Sequence, residues 1–592
     1  MDNRYKWTAL ATTTMGILVV TLNSSIVIIS LPAIFRGLGL DPLGPGNIGY
    51  LLWLLMGYLL VTAVLVVTFG RLGDMYGRVR LFNLGFLIFT VGAAACALVP
   101  NGGSAGAIEL ITLRLVQGVG GAMVTANSTA LLTDAFPSHQ RGLALGINQV
   151  AALAGSFLGL LVGGLLAEWS WRSVFWVSVP IGLYGTFEGY RRLRDLNPPR
   201  GHGRIDWAGN VTFGVGLVAV LVAITYGIQP YGGHTMGWTS PFVLTCLIGG
   251  GVLLAAFIAV EARVAEPMLD LRLFRIKAFA AGNAAGLLAA IARGGLQFML
   301  ILWLQGIWLP LHGYDFERTP LWAGIYLLPL TIGFLAAGPA SGWLSDKFGA
   351  RAFATGGLLL TVVSYAGLIA LPIDFNFTLF AILLALNGIG SGLFAAPNTT
   401  AIMNSVPTRE RGAASGVRAT FMNAGMVLSI GIFFSLMIAG LASRLPQTLT
   451  TGLAANGVPA DAAARVGAEP PVGSLFAAFL GYNPVQRLVG PATLNQLPPA
   501  DSARLTGTSF FPQLIAAPVK HGLTIVFVAA IVMSLVAAVA SLLRGGKYVH
   551  IDEPAQPDQP VSTASSATTP SPLASTVSAS TGAGRAAGAP DR

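Results

Sequence analysis

Gly70-Arg71-Leu72-Gly73-Asp74-Met75-Tyr76-Gly77-Arg78-Val79-Arg80 joins two apolar runs, and Gly342-Trp343-Leu344-Ser345-Asp346-Lys347-Phe348-Gly349-Ala350-Arg351 joins two others. Both read G-x-L-x-D-x-x-G with arginine close behind, Arg78 and Arg80 in the first copy and Arg351 in the second. Asp346 follows Asp74 by 346 − 74 = 272 residues. A second pair repeats almost in step: Pro137 to Arg141-Gly142 and Pro407 to Arg411-Gly412, offset by 407 − 137 = 270. Two matched loops at nearly one offset indicate a chain built from two copies of one unit.

The runs that these loops join decide the fold class. Of 592 residues, 54% are hydrophobic and 10% charged, whereas soluble domains carry about 25% charge. The apolar stretches reach about 20 residues or more, enough for a helix to cross a hydrocarbon core about 30 Å thick. Inside lipid each backbone polar group must be paired within its own segment, so the stretches are helices unless they close into a barrel. The short alternating segments of a barrel are absent. Fourteen spans are expected, at about 8–32, 50–69, 81–99, 108–132, 143–166, 173–190, 206–228, 241–260, 279–308, 321–344, 353–372, 377–402, 413–440 and 519–543. With the N-terminus inside, the cytoplasmic segments hold 19 Lys plus Arg and the six short external loops hold 3. By the positive-inside rule both termini are cytoplasmic.

The net charge of +10 does not point to nucleic acid, because the basic residues are scattered through short loops and no basic amphipathic element exists. Cys96 and Cys246 sit in separate apolar runs, which argues against a disulfide framework or a metal site. Arg4 and Lys6 precede an apolar run too long for a cleaved signal core, so that run reads as the first span. Residues 551–592 are Ser, Thr, Ala and Pro with almost no large apolar residue, and a disordered cytoplasmic tail is expected. The long external loop 441–518 leaves two readings open, a small folded cap or a flexible connection.

The duplicated loop resembles the signature of the major facilitator superfamily. Three further stretches resemble its fourteen-helix drug:proton antiporter branch: Arg114-Leu115-Val116-Gln117-Gly118-Val119-Gly120-Gly121-Ala122, Trp171-Arg172-Ser173-Val174-Phe175-Trp176-Val177-Ser178-Val179-Pro180-Ile181-Gly182, and Leu22-Asn23-Ser24-Ser25-Ile26-Val27-Ile28-Ile29-Ser30-Leu31-Pro32. The resemblance implies an all-α membrane protein. A six-helix half would span 1–204, two linker helices 205–277, and a second half 278–550. It also implies a gate in which Asp74, Arg78, Asp346 and Arg351 hold the inward side closed. A solvated turn is the plainer reading of the same loops.

Two positions depart from the antiporter pattern. Asn23 stands where the family usually has an aspartate proposed to carry protons, and an amide cannot be protonated at relevant pH. Asn23 can instead hydrogen-bond substrate, water or Arg114, or simply tie two helices together. Leu160 replaces the proline of the span-5 motif, where Gly155, Gly159 and Gly163 still form a stripe for close packing of a neighbouring helix.

No Asp or Glu falls at mid-bilayer. Glu109, Asp134 and Glu188 lie near span ends, and Glu109 is the remaining candidate for proton coupling. Two cations do fall inside, Arg114 and Arg293. A mid-bilayer arginine costs at least about 2.5 kcal/mol and should face a cavity or a partner. Gln297 lies one turn from Arg293, on the same face. Gln117, Trp53, Tyr58, Trp303, Gln305, Tyr326, Asn423 and Met426 complete a candidate substrate cavity; each alone suits lipid-facing or packed positions equally well. No phosphate-binding loop, G-x-S-x-G, or His or Cys cluster is found, so no enzyme, cofactor or metal is expected.

The expected function is a monomeric secondary exporter of amphipathic small molecules across the plasma membrane. Proton antiport is implied only by the resemblance. A lipid or anionic-substrate carrier with weak or no proton coupling, and a non-transporting sensor or scaffold, are the alternatives.

Overall fold

The computed structural model describes residues 3–41, 44, 46–196, 206–233, 236–264, 267, 269–407 and 411–544. Helices α1 (Asn3–Gly37), α2 (Asn47–Tyr76), α3 (Arg78–Ala97), α4 (Gly103–Ala135) and α5 (Ser138–Trp169) are followed by α6 (Ser173–Trp176) and α7 (Ser178–Arg192). Next come α8 (Trp207–Gly227), α9 (Pro241–Glu261) and α10 (Lys277–Trp303), which runs through a π-turn at Leu304–Trp308 into α11 (Leu309–Leu311). Helices α12 (Thr319–Tyr326), α13 (Leu328–Phe348), α14 (Ala350–Ala370), α15 (Phe377–Asn404) and α16 (Arg411–Ala442) follow. Among the described residues, thirteen helices are long and apolar enough to cross a membrane. Together α6 and α7 make the fourteenth expected span, broken at Val177.

Prolines explain the interruptions. Pro180 has no N–H to donate to Trp176, and Pro329 none for Ile325, so α6–α7 and α12–α13 break one turn before each proline. Pro310 leaves Gly306 without its donor in the same way, and the chain there widens into the π-turn.

The duplication is visible in the packing. Helix α4 crosses α2 where a Cβ on Gly118 would lie 3.0 Å from the Tyr58 carbonyl oxygen, and α15 crosses α13 where Gly388 meets Leu330 O. These pairs are related by 388 − 118 = 270 and 330 − 58 = 272. Gly85 against Gly120 and Gly357 against Gly390 repeat the relation between α3 and α4, and between α14 and α15. Glycine is needed here because two backbones touch. In α5, Gly155, Gly159 and Gly163 all face α1, and a Cβ on any of them would overlap its atoms. The hairpin α8–α9 leans on the seam between halves, with α8 touching α2 and α16.

Between α16 and the last spanning helix, six short helices run from α17 (Leu445–Ala454) through α18 (Ala460–Gly467), α19 (Pro471–Phe479), α20 (Val485–Val489) and α21 (Pro491–Leu494) to α22 (Pro499–Thr506), before α23 (Phe510–Leu542). The loop is therefore a folded cap, and its buried residues, including Leu449, Leu453, Val466 and Phe476, are continuous with the main core. All nine residues of α19 are buried, packed on the π-turn, α2, α16 and α23. Arg487 pairs with Asp41 of the α1–α2 connection. The 551–592 tail lies outside the described residues.

Candidate functional site

We call the end of the bundle carrying Asn3 the near face and the opposite end the far face. At the far face the halves are in contact. A Cβ on Gly164 of α5 would lie 2.5 Å from Leu321 Cα and 3.0 Å from the Pro320 carbonyl carbon, and one on Gly324 would lie 3.0 Å from Leu160 O. Gln305, fully buried in the π-turn, donates to Ile29 O of α1 at 3.2 Å. Towards the near face, Gly146 of α5, Gly338 of α13 and Gly416 of α16 have no atom within 4 Å of an added Cβ. The halves thus meet at the far face, whereas these three glycines towards the near face border open space.

In the first half, Arg114 is 1% exposed. Its Nη1 donates to Asn23 Oδ1 at 2.5 Å and to Gln117 Oε1 at 2.7 Å. Asn23 Nδ2 donates to Ser178 Oγ at 3.1 Å, and the guanidinium sits 4.3 Å from the Tyr58 ring centroid. Arg114 and Gln117 share a face because they are three residues apart on α4. Two amide carbonyls and a ring face hold the cation without a carboxylate. Arg114 Nε and Gln117 Nε2 find no acceptor among the described residues.

The second half arranges its charge differently. Arg293, partly exposed, rests 5.5 Å from the Phe334 ring centroid. No hydrogen bond or ion pair of its side chain to a described residue is found. Nearby, Tyr365 OH donates to Ala292 O at 3.4 Å. A third cation, Arg418 of α16, also partly exposed, donates through Nε to Thr399 Oγ1 at 3.3 Å. The repeated contacts align these groups: 293 − 24 = 269, 418 − 148 = 270, 398 − 128 = 270 and 387 − 117 = 270. Arg293 thus occupies the counterpart of Ser24, beside that of Asn23, and Asn387 that of Gln117. Arg418 is the counterpart of Asn148, whose Nδ2 donates to Ser128 Oγ at 3.1 Å. Sequence reading missed Arg418, although the 270-residue offset to the buried amide Asn148 could have singled it out.

The remaining candidates are dispersed. Arg78 pairs with Asp74 at 2.7 Å and with Asp134 at 2.6 Å, all within the first half. Arg351 is exposed at the start of α14, and the side chain of Asp346 lies outside the described residues. Glu109 accepts from Asn101 Nδ2 at 3.0 Å near the far face, away from Arg114. Glu188 pairs with Arg192. Tyr326, Trp303 and Trp308 belong to an aromatic cluster with Phe375, Phe377 and Phe380 near the far face. Trp53 packs against the main core. Gln297, Asn423 and Met426 are partly exposed.

The sequence profile of the Major Facilitator Superfamily matches residues 13–206 and 205–430. The chain belongs to this superfamily. Among its superfamily relatives is "Multidrug resistance protein Stp" of Mycobacterium tuberculosis (strain CDC 1551 / Oshkosh), 31% identical over 76% of this chain and 79% of that protein. "Tetracenomycin C resistance and export protein" of Streptomyces glaucescens is 30% identical over 79% of this chain and 84% of that protein. "Riboflavin transporter RibZ" of Clostridioides difficile (strain 630) is 27% identical over 74% and 90%. Among solved superfamily structures, a bacterial homolog of the human lysosomal transporter Spinster, described as inward-facing and unoccupied, shares the fold. Its TM-score is 0.56 at 17% identity, over 92% of this chain and 98% of that one. The chain is accordingly a multi-pass membrane transporter of this superfamily.

Proposed function

We propose that this protein is a secondary exporter of amphipathic small molecules in the cytoplasmic membrane, working by alternating access with its near face towards the cytoplasm. The observation that carries this reading is the asymmetry of the seam: backbone contact between halves at the far face, and open space beside Gly146, Gly338 and Gly416 towards the near face, the side on which the partly exposed Arg418 lies. Two duplicated halves rocking about such a seam open it to one side at a time. The lysine and arginine bias of the near-face loops supports the orientation. The names of the drug-resistance and export relatives support the direction of transport and the substrate class.

The near-face loops supply the gate. With the near face open, Arg78 is held by Asp74 and Asp134 of its own half. Closing the near face brings the second copy, with Asp346 and Arg351, against the first half. Proton coupling is weak or absent, because every described carboxylate lies in a loop or near a helix end. The test is saturable dye export from liposomes holding the purified protein, with and without a pH gradient. A flux no greater than in empty liposomes contradicts the reading.

A further inference from the structure

We propose that the exported molecule is an organic anion, whose acidic group is passed along a ladder of cations on the second half, Arg418 and then Arg293. This rests on the exporter reading above and names its substrate class.

Arg293 touches an aromatic face and makes no hydrogen bond to a described residue. Arg418 spends one N–H on a hydroxyl, at 3.3 Å. A guanidinium carries five N–H donors in a fork that matches carboxylate, sulfonate or phosphate oxygens. Within a membrane such a cation is expensive unless it meets an anion or water. In the other half the counterpart positions carry uncharged side chains, Ser24 and Asn148, with Asn148 bonded to Ser128. Their fold needs no cation at either place, so packing alone does not account for the two arginines.

Position adds direction. Gly294, next to Arg293, faces Met426 and Ser429 of α16. Arg418 therefore lies about two helical turns, roughly 12 Å, nearer the open end than Arg293. The partly exposed amide of Asn423 stands between these levels, and Gln297 one turn beyond Arg293. Helix α10 packs against α15, α16 and α23, and the Arg293 side chain lies by Phe334 of α13.

An anionic cargo also supplies the drive. With the cytoplasm negative, moving one negative charge outward is downhill, by about fifty-fold in concentration ratio per 100 mV. No titrating carboxylate is then required.

The experiment uses the full chain in phosphatidylcholine liposomes, with a membrane potential set by potassium and valinomycin. Flux of the monovalent anion 1-anilinonaphthalene-8-sulfonate is compared with that of the monovalent cation ethidium. The expected result is saturable sulfonate flux that rises with the potential and is preferred over ethidium. Arg293→Gln and Arg418→Gln should each weaken sulfonate affinity by about ten-fold or more, and Arg293→Lys should restore part of it. Sulfonate binding to the detergent-solubilised variants, alongside their melting temperatures, separates a lost site from a lost fold. Ethidium carried without sulfonate overturns the anion assignment and leaves the exporter reading standing. Sulfonate flux indifferent to the potential and to both Gln variants also overturns it. Transport of neither probe overturns both readings. A fluorescent phosphatidylglycerol serves as a further arm, and its movement in place of the sulfonate assigns the same acidic chemistry to a lipid headgroup.

Discussion

Gly164 on α5 is the position where one added carbon should tip the conformational balance. A Cβ placed there would fall 2.5 Å from Leu321 Cα, 2.7 Å from Leu321 N and 3.0 Å from the Pro320 carbonyl carbon, all backbone atoms of the other half. No rotamer change relieves such a clash; the two halves must move apart. Overpacking of this kind costs about 1–3 kcal/mol. The cost falls only on the state with the far face closed, so Gly164→Val should shift the balance towards the far-open state by about 5- to 150-fold. Ala323, fully buried on α12, reports the change when made the sole cysteine, with Cys96 and Cys246 replaced. Its labelling by a water-soluble maleimide applied from the far side should accelerate at least ten-fold in Gly164→Val, within that range. Gly146→Val is the control, because a Cβ there meets nothing within 4 Å. Equal labelling rates in the two variants would refute the seam as the closed gate.

Three other outcomes follow from the same geometry. Asp74→Asn should leave expression intact and slow dye export by about ten-fold or more, since Asp74 shares Arg78 with Asp134; wild-type turnover in Asp74→Asn and Asp346→Asn would remove the gate assignment. Asn23→Asp puts a carboxylate against Arg114, so export by this variant should gain a dependence on the pH gradient; a flat profile in vesicles at several pH values counts against the cluster as a coupling site. Gly159→Leu should destabilise the first half by about 1–3 kcal/mol, because a Cβ there already meets Ser25 Cβ at 2.9 Å; an unchanged melting temperature would contradict the α1–α5 contact.

Helix number and the duplication were legible because each depends on composition and spacing alone. Depth along a helix was legible too, which is why Arg114 and Arg293 stood out. The side a residue faces was harder. Tyr326 and Trp303 have the depth of cavity residues, yet they pack into the far-face aromatic cluster. Arg418 lies five residues inside the expected start of its span, where an arginine reads as a helix-end charge. The bond between Asn23 and Ser178 joins residues 155 apart, beyond any periodic signal. The loop 441–518 was ambiguous because its apolar residues are spread over six helices too short for a periodic signal.

The most direct test of the central claim counts protons against exported molecules. Purified protein is sealed in vesicles with a trapped pH indicator, and substrate efflux and internal pH are followed together after substrate dilution. With Asn23 in place of a carboxylate and Glu109 bonded to Asn101 near the far face, efflux should proceed without a matching proton flux and should persist when a protonophore removes the gradient. Stoichiometric proton movement that Glu109→Gln leaves untouched would contradict the account.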